Sequence, residues 1–191
     1  AGLAPTISAR LRRTTREGYP LPQVQTESDY DLAVIGAGPG GYVAAIRAGQ
    51  LGMKAAIVER EALGGVCLNW GCIPSKALLK NAEILSYIHR AEEFGLHFDN
   101  FHADYGAAID RSRKVVDRNT KGVAYLLRKN KVDHLQGTGR LSGKGVVEVD
   151  PEGRRITAKS IIIATGSRPR TIPSLPVDGE RVITSRESIV L

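Results

Sequence analysis

Residues 31–41 read DLAVIGAGPGG, in which a short apolar run leads directly into a glycine-rich turn. The apolar run is typical of a strand buried in a parallel sheet. The small and apolar residues 42–51 that follow suit a helix packed against that sheet. A second apolar run, residues 54–58, ends at Glu59. This order of features predicts a dinucleotide-binding βαβ unit, which consists of a strand, a G-x-G-x-x-G turn, a helix and a second strand that ends at an acidic residue.

The three glycines of the G-x-G-x-x-G pattern are expected to contribute in different ways to binding a pyrophosphate. We expect Gly36 to allow the tight turn, Gly38 to let the backbone approach the phosphates, and Gly41 to let the helix press against the strand. The helix N-terminus adds free N–H groups and a partial positive charge. Glu59 lies 18 residues after Gly41, where a carboxylate can accept hydrogen bonds from a ribose. The unit predicts recognition of an ADP group and does not by itself choose between FAD and NAD.

Both cysteines lie in residues 64–79, which read GGVCLNWGCIPSKALL. The spacing C-x4-C of Cys67 and Cys72 differs from the C-x-x-C of zinc sites, so we expect no metal. Five residues apart in a regular helix, Cα atoms are separated by about 8.6 Å, whereas a disulfide needs about 4.4–6.8 Å. The pair can therefore form a reducible disulfide only if the backbone departs from helical geometry, which Gly71 permits; two buried free thiols are the alternative. A helix running on from about Pro74 would place Cys72 near its N-terminus, where a thiolate is favoured.

Taken together, the glycine turn and the cysteine segment resemble the pyridine nucleotide–disulfide oxidoreductases. Residues 161–169, IIIATGSRP, resemble the strand of that family that enters an Ala-Thr-Gly-Ser turn beside the flavin nucleotide, and residues 137–139 resemble the segment that approaches the adenine. The resemblance covers about residues 29–191. It implies an α/β fold: a Rossmann-like FAD-binding domain with a parallel sheet, crossover helices and a small antiparallel β-meander.

The resemblance also implies the site residues. FAD would be bound, Cys67 would be the thiol that meets the substrate, Cys72 would be the charge-transfer thiol against the flavin, and Lys76 would lie near the flavin ring. The other FAD contacts that it implies are Gly36, Gly38, Pro39, Gly40, Gly41, Glu59, Arg60, Gly65, Val66, Gly139, Ala164, Thr165, Gly166 and Ser167.

The implied activity is that of an oxidoreductase. The context Pro74-Ser75-Lys76 favours members that oxidise dihydrolipoamide, carried on a lipoyl domain, and pass electrons through the cysteine pair and FAD to NAD+. The implied partners are a second copy, in a homodimer, and the core of a 2-oxoacid dehydrogenase complex. Another disulfide reductase of this family and a non-catalytic FAD-binding or interaction module are the alternatives. Because the sequence holds no second G-x-G-x-x-G for NAD and no C-terminal His base, we expect it to be the N-terminal FAD-domain portion of such an enzyme, without the NAD and dimerisation domains.

The composition is that of a globular chain of 191 residues, with 27 basic and 20 acidic residues and a net charge of +7. No nucleic-acid-binding signature accompanies the basic residues, and no apolar run is long enough for a membrane span, so we expect neither partner. Residues 1–28 are rich in arginine and poor in acids. We predict a flexible extension there and an FAD-binding domain over 29–191. The expected location is the cytoplasm; the alternative is the mitochondrial matrix, because the extension could be a transit-peptide remnant.

The middle of the sequence predicts further elements without adding chemistry. Helical patterns cover residues 76–93 and 105–131. Short strands are predicted at 132–135, 145–149, 155–157 and 161–163.

Overall fold

The structure is a computed structural model that describes residues 28–191. The predicted extension lies almost wholly outside the described residues. Within them, the strands are β1 Tyr30–Ile35, β2 Ala55–Glu59, β3 Asp133–Gln136, β4 Thr138–Gly143, β5 Val146–Asp150 and β6 Arg154–Ile163. The helices are α1 Pro39–Gln50, α2 Gly65–Trp70, α3 Cys72–His89, α4 Tyr105–Lys129 and α5 Ser185–Ser188, with a 3-10 helix at Ala91–Phe94.

The six strands form one sheet in the order β3-β2-β1-β6-β5-β4. Strand β1 lies parallel to β2 and β6, and β2 lies parallel to β3. The strands β4, β5 and β6 form an antiparallel meander. The fold is therefore the predicted α/β fold with a parallel sheet and a small antiparallel part.

Two apolar clusters cover the two faces of β1 and β2. On one face, Val34 and Ile57 pack with residues of α1 and with Leu127 of α4. On the other face, Val58 packs with Val147 of β5 and other residues of the meander. Because both faces are covered, these strands are almost wholly apolar, as buried parallel strands usually are. Their carboxyl ends meet at one edge of the sheet, and the glycine turn lies at that edge.

Helix α4 is the longest helix of the described range, and its start is fixed locally. The carboxylate of Asp104 accepts a hydrogen bond from the N–H of Ala107 at 3.0 Å, which caps the helix. Its apolar stripe, which includes Val116, Val123 and Leu127, is buried against the rest of the molecule. The predicted helix is confirmed and ends two residues earlier, at Lys129. Nothing among residues 28–191 forms a helix with the length and hydrophobicity that crossing a bilayer requires.

Several predicted boundaries are wrong. Helix α3 begins at Cys72 rather than near Pro74, and it ends at His89 rather than at residue 93, because the chain tightens into the 3-10 helix. The predicted strands 155–157 and 161–163 are parts of one ten-residue strand, β6. Its first residues pair with β5 and its later residues pair with β1. This change of partner within one strand is a long-range feature that the local pattern does not contain.

Candidate redox and cofactor-binding site

The glycine turn is built by two close backbone contacts. Gly36 has φ of +100°, and a Cβ there would collide with the carbonyl oxygen of Ala164. A Cβ on Gly41 would collide with the carbonyl oxygen of Gly36. A Cβ on Gly38, in contrast, would meet nothing within 4 Å. The fold therefore requires the outer two glycines, whereas Gly38 leaves open space at the N-terminus of α1, as the approach of a pyrophosphate needs.

Glu59 holds this turn against the end of β2. Its side chain is buried, with 9% exposed. One carboxylate oxygen accepts the N–H of Ala37 at 2.7 Å, and the other accepts the N–H of Glu61 at 2.7 Å. The sequence predicted only a ribose contact for Glu59. Its two hydrogen bonds to backbone N–H groups were not predicted, because they depend on how the turn folds back over β2.

We expect Glu59→Gln to lower the free energy of unfolding by about 1–3 kcal/mol. The amide nitrogen of glutamine would face one of the two backbone N–H groups, so that a buried donor loses its acceptor. Urea unfolding of the protein without added cofactor measures the effect. Glu61→Gln is the matched control, because Glu61 is exposed and its ion pairs with Arg186 and Arg168 lie at the surface. Equal losses in the two variants would contradict this account of Glu59.

A cavity of about 330 Å³ opens at the carboxyl ends of β1 and β2. The predicted cofactor contacts that line it are Gly36, Glu59, Arg60, Gly139, Thr165, Gly166 and Ser167. The cavity is also lined by Gly137 and Thr138 of the segment expected near the adenine, and by Ile35, Val58 and Arg168, which were not predicted as contacts. Gly139 packs closely here, because a Cβ at this position would lie 3.0 Å from the side chain of Ile35 and 3.2 Å from that of Val58. The cavity therefore joins the glycine turn to the segments 137–139 and 165–168.

The cysteine segment lies against the glycine turn. A Cβ on Gly65 would lie 2.7 Å from the Cα of Gly38. Gly65 begins α2, so the first turn of the helix that carries Cys67 contacts the predicted pyrophosphate-binding loop. The predicted contact Ala164 follows β6 and donates its N–H to the carbonyl of Ile35 at 2.8 Å. The remaining predicted contacts, Pro39, Gly40 and Val66, are exposed beside them.

The two cysteines sit on separate helices, one on each side of a break at Gly71. Cys67 lies within α2 and Cys72 is the first residue of α3. Gly71 has φ of −133° and ψ of −113°, so the backbone departs from helical geometry where the sequence predicted. As a result, Cys72 lies close enough to Cys67 for its thiol and its backbone N–H to act on the pKa of the Cys67 thiol. Both are free thiols in this structure.

Several neighbours act on the Cys67 thiol. Burial raises its pKa, and so does the nearby Cys72 thiol, whereas the backbone N–H of Cys72 and the Lys76 ammonium act to lower the pKa. Cys67 is half-buried, whereas Cys72 and Lys76 are exposed. The separate roles of the two thiols, which the resemblance implies, remain predictions.

Two further contacts fix the surroundings of α2. The side-chain amide of Asn69 donates to the carbonyl oxygens of Leu63 and Gly65, each at 2.9 Å. The guanidinium of Arg186 lies 3.9 Å from the ring centroid of Trp70 and pairs with Glu61 at 2.6 Å. The contacts of these two side chains, Asn69 and Arg186, were not predicted from the sequence. Within residues 28–191, no group of three or more His, Cys, Asp or Glu side chains is placed to hold a metal ion.

A dinucleotide turn with a pair of adjacent thiols defines a class of redox protein, and comparison with known proteins identifies it. The profile of the family described as "Pyridine nucleotide-disulphide oxidoreductase" matches residues 30–190. The chain belongs to this family.

Similar proteins carry a more specific name. The chain is 51% identical over 167 residues to a dihydrolipoyl dehydrogenase of Chlorobaculum tepidum, covering 86% of this chain and 36% of that protein. It is 43% identical over 173 residues to the dihydrolipoyl dehydrogenase of Bacillus subtilis, covering 85% of this chain and 36% of that protein. The chain thus spans 36% of the length of these relatives. A crystal structure of LpdA from Mycobacterium tuberculosis shares the fold with a TM-score of 0.75 at 24% identity, over 84% of this chain and 37% of that one.

Proposed function

We propose that this chain serves the FAD-dependent oxidation of dihydrolipoamide to lipoamide, with electrons passing through Cys67 and Cys72 to FAD and then to NAD+. The observation that supports this most strongly is the placement of the two cysteines on either side of the break between α2 and α3, close enough for Cys72 to act on the Cys67 thiol. The contact of Gly65 with Gly38 sets this pair beside the predicted nucleotide turn. The name shared by the relatives supports dihydrolipoamide as the substrate class.

The described residues fit FAD as the cofactor. The open space at Gly38 and the N–H groups that begin α1 suit a pyrophosphate, and the cavity beside Glu59 suits the adenosine part. The exposed ammonium of Lys76 acts to lower the pKa of the Cys67 thiol, so it lies near the cysteine pair, beside which we propose the flavin ring. When bound, FAD supplies a two-electron acceptor. We propose residues 29–191 as the domain that binds it.

The cysteine pair would exchange disulfides in two steps. Starting from the Cys67–Cys72 disulfide, one substrate thiolate attacks the sulfur of Cys67, the S–S bond breaks, and Cys72 leaves as a thiolate. The second substrate thiolate then attacks the mixed disulfide, which closes the lipoamide disulfide and releases Cys67 as a thiolate that takes up a proton. Two thiols of the substrate are oxidised and the protein disulfide is reduced. The position of Cys72 at the start of α3 favours its thiolate as a leaving group.

The further partners follow from the same proposal. We propose a lipoyl domain as the carrier of the substrate, a second copy of the chain in a homodimer, and the core of a 2-oxoacid dehydrogenase complex. We propose the cytoplasm as the location, with the mitochondrial matrix as the alternative.

Anaerobic addition of dihydrolipoamide to the protein tests this function. The protein is first mixed with FAD and freed of excess cofactor, so that retained flavin gives a visible spectrum. We expect dihydrolipoamide to bleach the flavin band, and an equal concentration of the monothiol glutathione to bleach it far more slowly. Flavin that stays bound and oxidised would favour the non-catalytic alternative, and a protein that retains no FAD would contradict the proposal.

A further inference from the structure

Three consecutive side chains of α4 hydrogen-bond to the segment that carries the cysteines. The bonds run from Arg113 Nη1 to the carbonyl oxygen of Asn69 at 2.9 Å, from Ser112 Oγ to that of Pro74 at 3.4 Å, and from Arg111 Nη1 to that of Ala77 at 3.1 Å. Ser112 is fully buried, with 0% exposed. One turn of α4 therefore hydrogen-bonds to the main chain on both sides of Cys72.

The acceptors belong to two different helices. Asn69 lies at the end of α2, where backbone carbonyls lack partners within the helix, and Pro74 and Ala77 lie in α3. The non-helical backbone at Gly71 separates α2 from α3, so the two helices do not form one rigid rod. Their relative position, and with it the separation of the two thiols, therefore depends on the direct contacts between α2 and α3 and also on what holds each helix from outside.

Arg113 is the donor that reaches α2. The backbone carbonyl of Asn69 accepts the hydrogen bond from Arg113, and the side-chain amide of Asn69 donates to the backbone carbonyl of Gly65. Through Asn69, Arg113 therefore connects α4 to both ends of the helical turn that contains Cys67. The Nε and Nη2 atoms of Arg113 are buried and have no hydrogen-bond partner among the described residues. Burial also lowers the pKa of this guanidinium. Arg113 as a whole is only half-buried, but two buried donors without partners are unfavourable for folding, and such exceptions are expected where a residue serves function.

We propose that Arg113 is a positioning residue of the redox pair: by holding the end of α2 against α4, it fixes the distance between the thiols of Cys67 and Cys72. Ser112 holds α3 from the same turn of the same helix, so the two cysteines share one rigid support. This inference rests on the proposed function of the pair. The separation sets the effective concentration of one thiol at the other, and hence the stability of their disulfide.

The variant Arg113→Met tests the inference because it keeps the apolar stem and removes the hydrogen bonds. Arg118→Met is the matched control, since Arg118 is an exposed arginine further along α4. The measurement is the equilibrium between the dithiol and disulfide forms in glutathione buffers, in which oxidised glutathione takes two electrons from the thiols and yields two reduced glutathione molecules. We expect Arg113→Met to lower the equilibrium constant for disulfide formation about tenfold, and Arg118→Met to leave it unchanged.

A measurement of folding stability distinguishes a positioning role of Arg113 from a role in packing alone. Removing Arg113 also removes two unpartnered donors, so we expect the urea midpoint of the reduced Arg113→Met protein to stay near that of the wild type. Arg113→Lys keeps a charged donor and should recover part of the equilibrium constant; it repeats the test if the methionine variant does not fold. A wild-type equilibrium constant in the variant that folds would overturn the inference and leave the proposed function standing. A wild-type protein that forms no Cys67–Cys72 disulfide at any glutathione ratio would overturn both.

Discussion

Replacing Cys67 or Cys72 with serine stops the reduction of bound flavin by dihydrolipoamide, with an expected loss of at least about a thousandfold in rate. A serine hydroxyl cannot form or break a sulfur–sulfur bond, so a single remaining thiol has no partner with which to store two electrons. Stopped-flow measurement of flavin bleaching in the FAD-loaded protein gives the rate. A variant that keeps more than a tenth of the wild-type rate would exclude the disulfide route.

The same two variants assign the separate roles of the thiols. If Cys72 lies against the flavin, Cys67→Ser retains a thiolate there and should keep a long-wavelength absorption band, whereas Cys72→Ser should lose that band. The band in Cys72→Ser alone would reverse the assignment.

Alanine at Gly41 should prevent normal folding, whereas alanine at Gly38 should impair only cofactor binding. The Cβ at position 41 collides with the carbonyl oxygen of Gly36, so α1 must move away from β1, at an expected cost of about 3–5 kcal/mol. At position 38, φ is −67° and a Cβ meets nothing within 4 Å, so alanine is compatible with the fold. Its methyl group would occupy the space through which a pyrophosphate approaches, and we expect at least about a tenfold loss of FAD affinity.

Two measurements on this pair of variants are needed. Thermal unfolding without cofactor should separate Gly41→Ala from the wild type and leave Gly38→Ala close to it. FAD titration, followed by flavin fluorescence, should separate Gly38→Ala from the wild type. Wild-type FAD affinity in Gly38→Ala would contradict the placement of the pyrophosphate at this turn.

The βαβ unit could be predicted from the sequence because each of its signals is local. The structure places β1, α1 and β2 within a few residues of the predicted bounds, since apolar runs and glycine spacing act over a few residues. Strand β4 was not predicted, because its sequence of Thr138–Gly143 contains two glycines and its pairing with β5 supplies what its composition does not. The continuity of β6 was missed because its pairing partner changes from β5 to β1 within the strand.

In the candidate site, too, local features could be predicted from the sequence and long-range contacts could not. The departure from helical geometry near Gly71 was expected on the condition that the two cysteines form a disulfide, from their spacing and the reach of that bond, both local quantities. The hydrogen bond from Arg113 to Asn69 spans 44 positions, and that from Arg186 to Glu61 spans 125. In the sequence these arginines belong to a basic composition that is typical of solvated surfaces. Only the packing of α4 against α2 makes Arg113 a candidate for function.

The most direct test of the central claim is a count of electrons. Anaerobic titration of the FAD-loaded protein with dithionite should consume about four electron equivalents per chain, two at the Cys67–Cys72 disulfide and two at the flavin. The Cys67→Ser variant should consume about two. A wild-type protein that is fully reduced by about two equivalents would show that the thiols do not act as a redox pair with the flavin, and would contradict the account.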